Sequence, residues 1–132
     1  MQDSSEILLT VVDDDESVRD ALKSLLQSVG FAAEIFSSAE EFLHWSNRDK
    51  TSCLILDVHM PAMTGLELQR HLGGTQCRIP MIFITALDDP LARAQALEAG
   101  AVDFLKKPFD EESLLDAVHA ALGYAQGRET FP

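Results

Sequence analysis

The chain has 132 residues, 46 % apolar and 24 % charged, which suits one soluble domain around a single hydrophobic core. Its formal charge of −12 opposes contact with phosphate backbones or anionic membranes, so no direct nucleic-acid binding is expected of this segment. Cys53 and Cys77 match no zinc spacing or disulfide framework, and neither a signal peptide nor a membrane-spanning apolar run is legible, which predicts a cytoplasmic protein with reduced thiols.

Taken in chain order, short apolar and β-branched runs recur at Ile7–Val12, Ala32–Phe36, Cys53–Leu56, Met81–Thr85 and Val102–Leu105, the pattern of strands buried on both faces. Helical patterns separate them. After the first strand, Val18, Leu22, Leu25, Leu26 and Val29 form one stripe that Gly30 closes. Ser38 with Glu41, and again Thr64 with Glu67, have capping-box spacing for a second and a third helix. Asp88 or Asp89 can cap the fourth, with Pro90 in its first turn and Gly100 at its end. The fifth begins near Asp110 with Glu111 and Glu112 at its positive pole, and Leu114, Leu115, Val118, Ala121 and Leu122 form its apolar stripe. Five βα units predict an α/β, doubly wound, flavodoxin-like parallel sheet of order 2-1-3-4-5 with helices on both faces. The domain is expected to span residues 1–124, with 125–132 a linker or tail.

That order sets strands 1 and 3 side by side at the topological switch point, where ligands bind beyond the carboxyl ends of the strands. Strand 1 runs into Asp13-Asp14-Asp15-Glu16 and strand 3 into Asp57, so Asp13, Asp14 and Asp57 should gather there. Carboxylates about 4 Å apart repel by roughly 4 kcal/mol per pair at an effective dielectric of about 20, which calls for a cation or for protonation. Mg²⁺, a hard cation that takes carboxylate oxygens together with waters and phosphate oxygens, fits that need. Asp15 and Glu16 read instead as the opening of the first helix. Thr85 ends strand 4 with a hydroxyl for an anionic oxygen, and Lys107 follows strand 5 with a balancing charge, next to Pro108 and a peptide bond able to be cis.

Together Asp13-Asp14, Leu56-Asp57 with Met60-Pro61 and Gly65, Ile84-Thr85-Ala86, and Phe104-Leu105-Lys106-Lys107-Pro108-Phe109 resemble the receiver domains of bacterial response regulators over residues 6–124. The resemblance is closest to the subfamily with a C-terminal LuxR-type helix-turn-helix output domain. It implies that Asp57 accepts a phosphoryl group from a sensor histidine kinase. It further implies that Asp14 ligates Mg²⁺, that Asp13 holds a metal-bound water, and that the main-chain carbonyl of His59 completes the protein ligands. Thr85 and Lys107 would bind phosphoryl oxygens, with a cis bond at Lys107–Pro108. Thr85 and Phe104 would form the switch, shifting the surface of helix 4, strand 5 and helix 5 to control a transcriptional output, with phosphorylation-dependent homodimerisation through helix 4 and strand 5. Such a protein catalyses only its own phosphorylation and slow dephosphorylation. A flavodoxin-like flavin binder fits less well, because the acidic run after strand 1 would repel the flavin phosphate. An aspartate-dependent phosphatase of the haloacid-dehalogenase type would want an acid where His59 stands. A degenerate receiver that only binds partners is the non-catalytic rival.

Overall fold

A computed structural model describes residues 7–73 and 77–125. Five parallel strands, β1 (Leu8–Val12), β2 (Ala32–Phe36), β3 (Cys53–Asp57), β4 (Met81–Thr85) and β5 (Asp103–Lys106), lie in the order β2-β1-β3-β4-β5, as the sequence predicts. The crossovers are α1 (Glu16–Ser28), α2 (Ala39–His44), α3 (Gly65–His71) and α4 (Pro90–Glu98), with α5 (Glu111–Ala125) following β5. A 3-10 turn at Arg48–Lys50, which the sequence pattern does not announce, leads into β3.

The period of two along a strand divides the core between the sheet's faces. Cys53 and Ile55 of β3, with Ile82 and Ile84 of β4, face Leu22 and Leu26 of α1 and Leu114 and Val118 of α5. Leu54, Leu56, Met81 and Phe83 face Phe42 of α2, Leu68 of α3 and Ala92 and Ala96 of α4. Every residue of β3 and β4 is buried, which is why these strands read as unbroken apolar runs. Val29 departs from the predicted stripe: it lies beyond the last turn of α1 and is 47 % exposed, and Gly30 then takes the positive φ of 98° that turns the chain back to β2.

The caps follow the sequence with two refinements. At α3 the Thr64 hydroxyl accepts from the Glu67 N–H at 3.1 Å while the Glu67 carboxylate accepts from the Thr64 N–H at 2.9 Å, a complete capping box. Thr64→Ala is expected to cost about 1 kcal/mol of stability, read as a lower urea midpoint with unchanged slope. At α2 Ser38 caps Glu41, but the Glu41 carboxylate reaches one residue further back, to the N–H and hydroxyl of Ser37 at 2.8 and 2.9 Å. Asp89, rather than Asp88, caps α4 through the Ala92 N–H at 3.0 Å. Of the expected tail, 125–132, residues 126–132 lie outside the described residues, and α5 runs to Ala125. No helix among the described residues is long and apolar enough to cross a membrane.

Candidate functional site

Register brings the acids together. Val12 pairs with Leu56 and Asp57 with Ile84, so Asp13 and Asp57 emerge side by side at the carboxyl edge of the sheet, and Thr85 closes β4 one residue past Ile84. Carboxylate oxygens of Asp13, Asp14 and Asp57 lie within 4.8 Å of one another, with Asp13 fully buried, Asp57 6 % exposed and Asp14 open to solvent. Lys107 reaches in from the loop after β5, its Nζ 3.0 Å from Asp13 Oδ2 and 3.8 Å from Asp57 Oδ2. The Lys107–Pro108 peptide bond is cis.

One ammonium does not balance three carboxylates. Burial, then the neighbouring Asp13, push the carboxyl of Asp57 up from 3.8 to about 6, against the pull of Lys107 and of the His59 N–H. That N–H donates to Asp57 Oδ1 at 3.3 Å. The donor set fits a hard divalent cation: three carboxylates at short range, one of them solvent-facing, with no soft sulfur or imidazole donor in the group.

Thr85 is fully buried; its hydroxyl oxygen accepts from the Leu87 N–H at 3.2 Å, which leaves its proton for donation. Its carbonyl accepts from the Lys107 N–H at 2.7 Å, tying the ends of β4 and β5 together beside the acids. The His59 ring turns away from the carboxylates toward α4, with Nε2 3.3 Å from Asp89 Oδ2. Leu87, two residues beyond Thr85, is 55 % exposed. Phe104 is half-buried and stacked on Phe83, ring centroids 6.2 Å apart, and lines a cavity of about 170 Å³ with Leu87, Pro90, Arg93 and Lys106. Cys53 and Cys77 are free thiols; burial pushes the former up to about 12 and leaves it inert.

Two features of the site escape a sequence reading. Gly65 opens α3 directly against β3, and a Cβ there would overlap the Asp57 carbonyl oxygen and crowd the Val58 Cα. Arg19 of α1 donates from Nη1 to the Asp13 carbonyl at 2.8 Å. The only sequence signal for Arg19 is a basic residue about one helical turn after the acidic run, which is shared by many solvated helix faces.

A doubly wound sheet carrying an acidic pocket, a threonine and a lysine at its carboxyl edge defines a class. Residues 9–119 match the family profile of the response regulator receiver domain, and the chain belongs to that family. It is 47 % identical over 133 residues to the response regulator protein TodT of Pseudomonas putida, an alignment covering all of this chain and 58 % of TodT. The solved response regulator StyR superposes with a TM-score of 0.84 at 45 % identity, covering 92 % of this chain and 61 % of StyR. The crystal structure of FixJ-N gives a TM-score of 0.79 at 36 % identity, covering 99 % of this chain and all of that one. The chain thus spans a little under two thirds of TodT and StyR and the whole of FixJ-N.

Proposed function

We propose that Asp57 is the phosphoacceptor and that its donor is a phosphohistidine on a sensor histidine kinase. The observation that carries this reading is the juxtaposition of a nearly buried, cation-seeking Asp57 with Lys107 and the Thr85 hydroxyl at the switch point. An Asp57 carboxylate oxygen attacks phosphorus in line; the Oδ–P bond forms as the P–N bond breaks, and the electron pair returns to the donor imidazole. The Lys107 ammonium meets the charge on the transferring oxygens, and the Thr85 hydroxyl donates to one of them once the acyl phosphate has formed. Asp13, Asp14 and Asp57, with the His59 carbonyl, would hold Mg²⁺, which when bound supplies positive charge to the phosphoryl oxygens and keeps Asp57 ionised.

Beside this pocket an apolar cavity of about 580 Å³, lined by Val18, Leu22 and Leu25 of α1 with Pro108 and Phe109, offers a face for a partner helix. The output follows the switch pair Thr85 and Phe104 toward α4, β5 and α5, in keeping with the half-buried ring and the cavity behind it. We read residues 1–124 as one receiver unit and 125–132 as its linker to a transcriptional output domain, acting in the cytoplasm, with a phosphorylation-dependent homodimer through α4 and β5. Fluorine NMR with beryllofluoride tests the acceptor reading. A Mg²⁺-dependent bound signal is expected for the wild type and none for Asp57→Asn; a signal that survives the substitution contradicts it.

A further inference from the structure

Asp13 is secured at three acceptor atoms. Its Oδ1 accepts from the Asp15 N–H at 2.9 Å and its Oδ2 from Lys107 at 3.0 Å. The third is its main-chain oxygen, which receives the Arg19 guanidinium at 2.8 Å. This oxygen belongs to no regular ladder, since β1 ends at Val12 and α1 begins at Glu16. It also belongs to the peptide plane that carries the N–H of Asp14, so its direction sets the backbone torsions between the two acids. Asp14 is exposed, with no packing to aim its carboxylate, and its aim depends on that plane.

Arg19 also faces an acidic neighbour on α2. It stands half-buried on α1, with the Glu41 carboxylate of α2 within its field. Hydrogen bonds from the Ser37 N–H and hydroxyl, and then the charge of Arg19, hold the Glu41 carboxyl below its ordinary range. Ser37 follows directly on Phe36, whose carbonyl accepts from the Asp13 N–H at 3.1 Å. The end of β2 and Arg19 thus hold Asp13 at its main-chain N–H and at its main-chain oxygen, behind the acidic pocket.

We propose that Arg19 is a positioning residue for this pocket, fixing the Asp13–Asp14 peptide so that the Asp14 carboxylate meets those of Asp13 and Asp57. The inference rests on the phosphoacceptor reading above and adds a residue which that reading does not use. It makes a prediction opposite in sign to a simple effect of charge. Removing a cation beside three carboxylates would by charge alone tighten Mg²⁺ binding, whereas releasing the Asp13 peptide weakens it.

Calorimetric titration with MgCl₂ separates the two, with thermal unfolding recorded on the same samples. Arg19→Met is expected to raise the Mg²⁺ Kd about tenfold, the range seen when a group orienting a metal ligand is lost. Arg19→Lys, which keeps a long donor, is expected to recover most of that loss. A Kd unchanged or tightened in Arg19→Met overturns the proposal, including the case in which Tm falls and the folded protein binds Mg²⁺ as before. Should Arg19→Met fail to fold, Arg19→Gln carries the same test: weaker binding than wild type supports the proposal, and equal or tighter binding overturns it. A wild type that binds no Mg²⁺ removes the acceptor reading and this inference with it; a wild type that binds while Arg19→Met matches it removes the inference alone.

Discussion

Asp57→Asn is expected to stabilise the metal-free domain by about 2–3 kcal/mol near neutral pH, although it removes the residue on which the site centres. Folding raises the carboxyl of Asp57 from 3.8 to about 6, so the ionised form is less favourable in the native than in the unfolded chain. At about 1.4 kcal/mol for each tenfold change in acidity, that rise corresponds to roughly 3 kcal/mol. The native state binds the proton more tightly, so wild-type stability is whole below pH 3.8 and is lost as pH rises through about 6. Asparagine carries no such charge. The gap between mutant and wild type should therefore open across that interval and stay level above it. Urea unfolding in the presence of a chelator at several pH values measures it; a gap independent of pH, or a mutant less stable than wild type at neutral pH, contradicts the account. Saturating Mg²⁺ should narrow the gap, because it stabilises only the chain with the complete carboxylate set.

Gly65→Ala is expected to act in the opposite direction. In an ordinary helix the change gains up to about 1 kcal/mol from reduced unfolded-state freedom. Here the added Cβ overlaps the Asp57 carbonyl oxygen, a backbone atom in a fully paired central strand that no side-chain rotation can move aside. Relief requires α3 to retreat from β3, and α3 is bound there by the Gly65 N–H to the Val58 carbonyl at 2.9 Å and by buried Leu68. Overpacking of this kind costs about 3 kcal/mol, so Tm should fall by roughly 10 °C. Displacement of Asp57 should also weaken Mg²⁺ binding in the molecules that remain folded. Unchanged Tm with wild-type Mg²⁺ affinity would show that the close approach of α3 to β3 has no part in placing Asp57.

These two residues illustrate what a sequence exposes and what it conceals. Asp57 is legible because four buried apolar residues precede it and the sheet order points its strand at the switch point; an acid in that place needs a reason. Thr85 and Lys107 become legible the same way, as polar ends of apolar strands. The helix caps are equally open to reading, since the Thr64 and Glu67 box is a purely local signal. Gly65 appears in the sequence only as part of a motif, because the crowding that excludes a Cβ involves a strand eight residues earlier. Arg19 and the choice of Asp89 as partner for His59 are likewise products of packing between elements. α4 is the least legible helix. Only Ala92 and Ala96 bury small side chains beneath it, and Leu91 is 68 % exposed. Part of its seat is a single buried hydrogen bond from Gln69 of α3 to the Ala96 carbonyl at 3.1 Å, which no hydrophobic periodicity announces.

A lightly seated α4 also suits the proposed output. A helix fastened by one buried polar bond and two alanines moves at lower cost than one anchored by a leucine stripe, since a hydrogen bond contributes about 1 kcal/mol net and a buried leucine about 2. Phosphorylation need supply only a modest difference in contacts to shift such a helix between two packings.

The central claim, that Asp57 takes a phosphoryl group, is tested most directly by incubating the chain with acetyl phosphate and Mg²⁺ and locating the adduct by peptide mass spectrometry. A single hydroxylamine-labile phosphoryl group on the peptide containing Asp57, not formed when Mg²⁺ is chelated beforehand and absent from Asp57→Asn, is the predicted result. An adduct on another residue, or none under conditions where Mg²⁺ binding is measured, would contradict it and leave a receiver that only binds partners.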